Sequence, residues 1–292
     1  MESATIEAVR RFNRTVGESI GLAGGRFLGR PRSPGESRLL WEIGSDGIEI
    51  RRLRQRLALD SGYVSRVIQS LVHQRLVRVR AGGDRRVRRV ELTAKGLKER
   101  AYLDRRSDDL VRHIFRPLSS GQQRRLAAAM LEVERLLLAA MVRFRPEDPK
   151  SPDAAWCLGE YFAELAERFD AGFDPARSIS ADARELTRPH GVFVIARLRD
   201  RAIGCGALKF HGREPAELKR MWLAKDVRGL GVGARLLAAL EREAREAGAS
   251  LVRLETNRAL TEAIALYHRC GYREVAAFNN EPYAHHWFEK RL

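Results

Sequence analysis

Seven residues, Arg228-Gly229-Leu230-Gly231-Val232-Gly233-Ala234, stand between an apolar run at Leu218–Leu223 and an amphipathic run from Arg235 to Ala247. Glycines at the start of a helix leave backbone N–H groups bare, and those groups, helped by the helix dipole, hold phosphate. The chemistry this spacing offers is capture of an anion, a diphosphate above all. A triphosphate-binding loop needs Lys-Ser or Lys-Thr after its last glycine, and Ala234 and Arg235 stand there instead. A dinucleotide fingerprint is matched by Gly229, Gly231 and Ala234, with Glu255 about where a ribose-binding acid belongs. Against it, five residues (Ala224 to Arg228) separate strand from first glycine, and the 37 residues after Glu255 are too few to complete a doubly wound sheet. A nicotinamide-dinucleotide-binding domain stays as the minor alternative.

The elements that must position this loop follow from apolar spacing. Arg145–Asp153 holds three prolines in nine polar residues and reads as a short semi-rigid linker. Beyond it, Trp156 to Phe169 has the spacing of an amphipathic helix, and Gly191–Ala196, Ala202–Leu208, Glu217–Leu223 and Leu251–Thr256 read as strands. This order, continued by Ala263-Ile-Ala-Leu-Tyr-His-Arg-Cys-Gly-Tyr272, is similar to the GNAT superfamily of acyl-CoA-dependent N-acyltransferases over about residues 154–292.

The resemblance implies an α/β (α+β) fold with a mixed, splayed central sheet. It implies acetyl-CoA as co-substrate, bound by Arg228, Gly229, Leu230, Gly231, Val232, Gly233 and Ala234, with Leu223 and Asn257 beside them. Leu223 would lend a backbone N–H to the thioester carbonyl. The reaction implied is direct attack of a neutral small amine on the thioester, with Tyr267 as general acid and Glu217 as the group that takes the amine proton. The acceptor would lie near Tyr161, Phe173, Arg184 and the Glu281–Phe288 end. Cys157, Cys205 and Cys270 lack C-x-x-C spacing, and His285 and His286 lack ligand spacing, so no metal is assigned.

The first half has a different character. Residues 1–150 hold 32 Lys+Arg against 18 Asp+Glu, whereas the remainder holds 22 against 20. A basic half joined to a neutral one points to a polyanion partner for the first. Glu49–Leu57 and Ser61–Leu71, joined at Ala58-Leu59-Asp60, make a helix-turn-helix candidate. Val64, Val67, Ile68 and Leu71 form its buried side; Ser61, Tyr63, Ser65, Arg66 and Gln69 face out, as a recognition helix requires. Leu76–Arg80 and Val87–Leu92 follow as two short strands around Ala81–Arg86, a wing carrying Arg80, Arg85, Arg86 and Arg88 that could clamp phosphates.

Residues 84–96 resemble the wing-to-helix signature of the MarR family of winged-helix regulators, and the resemblance extends over about residues 4–142. It implies dimerisation through the N-terminal helix and the long helices that end near Phe115 and Met141. A homodimer would then read a double-stranded operator with half-sites about one helical turn apart.

Two domains are expected: 1–144, a mainly α winged helix-turn-helix; 145–153, the linker; and 154–292, the acyltransferase. Glu2 and Glu7 break any signal-peptide pattern, and no apolar run approaches about 18 residues, so a cytoplasmic protein without a membrane partner is expected. The function expected is a transcriptional regulator fused to an acetyl-CoA-dependent N-acetyltransferase of a small amine. The alternative is a regulator that senses acyl-CoA or an amine through a catalytically weak second domain.

Overall fold

The computed structural model describes residues 3–20, 28–30, 32–57, 59–81, 87–179, 181–212 and 215–292. They fall into two compact units, Met1–Met130 and Leu131–Leu292.

The first unit is mainly helical. After α1 (Ser3–Ser19), α2 (Pro34–Ile43) is started by Ser33, whose hydroxyl accepts from the Glu36 N–H while the Glu36 carboxylate accepts from the Ser33 N–H. This reciprocal cap satisfies two donors the helix cannot use itself. β1 (Ile48–Glu49), α3 (Ile50–Leu57) and α4 (Ser61–His73) follow, with the Asp60 carboxylate capping α4 through the Tyr63 N–H at 3.0 Å. β2 (Val77–Ala81) and β3 (Arg88–Leu92) form an antiparallel hairpin, and β1 adds a third strand on the far side of β3. The two-residue β1 was not expected from sequence, because a pair of residues carries no readable periodicity. Thr93 caps the long α5 (Ala94–Phe115). Leu39, Leu40, Leu53, Val64, Leu71 and Leu103 are fully buried in one core.

α6 (Ser120–Ala140) leads into the second unit, whose seven-stranded sheet has the order β4-β5-β6-β7-β8-β10-β9. Its strands are β4 (Arg143–Pro146), β5 (Gly191–Leu198), β6 (Arg201–Lys209), β7 (Ala216–Leu223), β8 (Leu251–Thr256), β9 (Arg273–Val275) and β10 (His286–Arg291). All neighbours are antiparallel except β7 and β8, so the parallel sheet of a dinucleotide fold is absent among the described residues and that alternative falls. One face of the sheet packs on α8 (Val232–Glu246) through Leu236, Leu237 and Leu240, and the other on α7 (Pro152–Arg168) through Cys157. α9 (Thr261–Arg269) follows β8.

Residues 145–153, expected as a linker, are divided between elements. Arg145 and Pro146 pair with Ile195 and Val194 of β5, and Ser151 caps α7, which takes in Pro152 and Asp153. β4 is the outermost strand, and an edge strand tolerates a residue without an N–H.

β7 and β8 pair only at their starts, Ala216 with Val252 and Glu217 with Arg253. Further along, β7 carries a bulge in which Arg220 and Met221 together oppose Gly206, and Arg220 takes a left-handed φ of 55°. The ends of the two strands therefore diverge, and the gap between them positions the site. Among the described residues no helix is long and apolar enough to cross a membrane.

Candidate active site

β7 ends at Leu223, a 3-10 turn over Lys225–Val227 follows, and Gly231 caps α8 in the left-handed region at φ 75° with no side-chain partner. The first N–H groups of α8 consequently lack intrahelical acceptors and carry about half a positive charge between them. The Ala224 N–H is given to Ile203 O of β6, so the N–H and C=O of Leu223, one residue back, point the other way, into the gap beside β8. From the glycine loop a cleft of about 760 Å³ runs along this gap between Gly229, Gly231 and Ala234 on one wall and Leu260, Ala263 and Tyr267 of the α9 segment on the other. An open helix start at one end and an apolar channel behind it fit a diphosphate followed by a long neutral arm.

Tyr267 is buried at the inner end, its ring 5.7 Å from that of Phe288. Burial, and secondarily the nearby Glu255, push its pKa above the ordinary tyrosine value, so the phenol keeps its proton at neutral pH. A second cavity, of about 110 Å³, shares Tyr161, Met221 and Tyr267 with the cleft and adds Phe173, Lys219 and Glu255. Glu255 is a partly buried carboxylate, its side chain 9% exposed. Its Oε1 is held by the Lys219 ammonium, while Oε2 is buried with no hydrogen-bond partner among the described residues.

Glu217 does not fit the role the sequence suggested. It lines neither cavity, and its Oε1 accepts from Arg253 Nη2 at 2.6 Å and Nε at 3.2 Å. Burial alone would raise its pKa, but Lys219 and Arg253 outweigh that and lower it, which works against accepting a proton.

Of the expected cofactor residues, Leu223, Arg228, Gly229, Gly231, Gly233 and Ala234 line the cleft. The Val232 side chain is buried in the core, and Leu230 packs against the same core, so these two can offer only main chain. Asn257 is spent on the fold: its amide donates to Tyr283 O at 2.7 Å and its oxygen accepts from the Ala259 N–H. The Arg228 guanidinium is turned to Glu164 and to Leu223 O, away from the helix start. Tyr161 and Phe173 line the smaller cavity; Arg184 lines neither.

In the first unit Ser61, Tyr63, Ser65, Arg66 and Gln69 are all exposed along α4, opposite the buried Val64, Val67, Ile68 and Leu71. Arg80 and Arg88 are exposed at the facing ends of β2 and β3, where Ala81 pairs with Arg88. Arg85 and Arg86 lie outside the described residues.

Comparison with known proteins gives the following matches, the first of which lies in the second unit. The Acetyltransferase (GNAT) family matches residues 158–272. An IAA acetyltransferase of Azospirillum brasilense is 35% identical over 117 residues, which cover 39% of this chain and 76% of that protein. An uncharacterized N-acetyltransferase of Schizosaccharomyces pombe is 32% identical over 104 residues, covering 35% of this chain and 61% of that one. A crystal structure of a GNAT-family acetyltransferase from Staphylococcus aureus covers 51% of this chain and 98% of its own at 17% identity, with a TM-score of 0.44.

Proposed function

Because the chain belongs to the GNAT acetyltransferase family, we propose that its N-acetyltransferase activity acts on a small amine held in the cavity beside Glu255, and that the first unit binds DNA. Acetyl-CoA is the co-substrate and supplies the acetyl group as a thioester. The Gly229–Ala234 main chain at the start of α8 is suited to its diphosphate. The N–H of Leu223, free of the neighbouring strand, is the donor for the carbonyl oxygen as charge develops there. Tyr267, protonated and at the junction of the two cavities, provides the proton for the departing sulfur.

The acceptor side rests on one observation, the partnerless Oε2 of Glu255 in a cavity that opens on Tyr267. A buried carboxylate oxygen without a donor is costly, and a primary ammonium supplies that donor. Glu255 therefore takes over from Glu217 the task of holding the ammonium and removing its proton. A screen of small amines for thiol release from acetyl-CoA tests this. Turnover should appear with compact primary amines, and Glu255→Gln should lower kcat by about a hundredfold or more, whereas Glu217→Gln should change it far less. The reverse ranking of the two variants would return the role to Glu217.

For the first unit we read a MarR-type winged helix-turn-helix that binds double-stranded DNA as a homodimer. The exposed polar face of α4, the arginine-bearing hairpin and the basic excess of residues 1–150 support this reading. Arg66→Ala should weaken operator binding by about 1–3 kcal/mol in gel-shift titrations, and equal losses on random DNA would reduce Arg66 to a phosphate contact.

A further inference from the structure

Leu230 and Val232 anchor the glycine loop in the core, but its two left-handed glycines contribute nothing to its shape. Gly229 and Gly231 have left-handed φ values of 76° and 75°, and a Cβ added to either would meet nothing within 4 Å. Glycine loses more conformational freedom on ordering than any other residue, so a loop of this composition holds one form only if its flanks impose it.

Beside the packing of Leu230 and Val232, the flanks do so through one carboxylate. Arg228 donates from Nε and Nη2 to Leu223 O at 2.8 and 2.6 Å, closing the five-residue turn across its own mouth. Glu164, on α7, then grips the same guanidinium, Oε1 from Nη1 at 2.8 Å and Oε2 from Nη2 at 2.5 Å. Its Oε2 also accepts from Trp222 Nε1 at 2.9 Å, and its Oε1 from Arg168 Nη1 at 3.2 Å. Arg168 passes on to Ala259 O and Glu262 Oε2, at 2.6 and 2.7 Å, where α9 begins. Hydrogen bonds from Arg228 foremost, and from Trp222 and Arg168, hold the Glu164 pKa down at about 2 against the effect of burial. One side chain of α7 thus ties together the end of β7, the glycine loop and, through Arg168, the opposite wall of the cleft.

We propose that Glu164 is a positioning residue for acetyl-CoA: acting through Arg228, it holds the loop in its binding form before the ligand arrives. The Arg228 charge is spent on Glu164, so the contribution is preorganisation and not attraction to the diphosphate. The inference rests on the loop being the acetyl-CoA site, and the experiment separates the two ideas.

Acetyl-CoA is titrated calorimetrically into the full chain and into Glu164→Gln, Arg228→Met, their double variant and Glu167→Gln, with a thermal melt of each. Glu164→Gln should raise Kd about tenfold or more while still melting cooperatively, and Arg228→Met should do the same. The double variant should be within about twofold of Arg228→Met, because residues that act as a unit are not additive. Glu167, exposed on the same helix and 3.7 Å from Lys225, removes an equal charge without touching Arg228 and should leave Kd unchanged. If Glu164→Gln does not fold, Glu164→Asp, which keeps the charge one methylene short of its partners, carries the same comparison. Unchanged or tighter binding by the Glu164 variants, or full additivity with Arg228→Met, overturns the proposal. Absence of binding by the unaltered chain would instead overturn the placement of acetyl-CoA at the loop.

Discussion

Glu217 and Glu255 are the same residue type on neighbouring strands, and what separates them is the company each keeps. Arg253 occupies Glu217 with two hydrogen bonds, whereas Lys219 takes one oxygen of Glu255 and leaves the other bare. Neither partner is adjacent in sequence to its acid, so a reading of the chain could find a glutamate on β7 but not that it was spoken for. The motif that singles out Tyr267 in the sequence falls on α9, where the tyrosine side chain lines both cavities. Its placement at the meeting of both cavities makes Tyr267→Phe the sharpest single test of the chemistry. That variant should lose about tenfold to a thousandfold in kcat, with acetyl-CoA affinity by calorimetry unchanged. An unaffected rate would remove the phenol from proton delivery.

At the scale of elements, helices and strands with strong periodicity were where the sequence placed them, and α4 shows why: four apolar residues on one side and five polar ones on the other leave little choice. β4 escaped because the prolines from Pro146 onward argue for a linker, and the position of the strand at the outer margin of the sheet makes Pro146 harmless. The attachment of α7 to the cleft through Glu164 was likewise invisible, since its partners are 4, 58 and 64 positions away. It has an acid signature. A carboxylate whose folded pKa is lowered stabilises the fold above its unfolded pKa, and that contribution disappears as pH falls through the folded value. With an ordinary value of 4.5 and a folded value of about 2, the melting-temperature advantage of the unaltered chain over Glu164→Gln should be full above about pH 5. It should shrink steadily below that. An advantage that does not change with acidification would mean that the charge of Glu164 contributes nothing to holding α7 in place.

For the molecule as a whole, the division into a basic and a neutral half was read from charge alone, and two compact units are present, although they divide near residue 130 and not at the prolines. Arg85 and Arg86 lie outside the described residues. α1 has no buried residue and α6 buries only Ala139, while Phe12, Leu131 and Leu137 are more than half exposed. Helices of this kind in isolation waste apolar surface that a second copy would cover. Sedimentation of the full chain should therefore give a dimer, and Leu137→Asp should shift it toward monomer while weakening operator binding. A monomer at micromolar concentration that binds DNA undiminished would remove the dimer from the reading. DNA affinity should also fall steeply with added salt, as phosphate contacts demand.

The parting of β7 and β8 has a consequence for dynamics. The middle of a sheet is ordinarily its slowest region to exchange amide hydrogens, since every group there is stitched to a neighbour. Here the β7–β8 seam is unstitched toward the ends of its strands, so the amide of Leu223 should trade hydrogen for deuterium as fast as a surface turn and slow sharply once acetyl-CoA fills the breach. A map in which the heart of the protein is its most restless part, and grows quiet only when loaded, would be the imprint of that missing hydrogen-bond ladder.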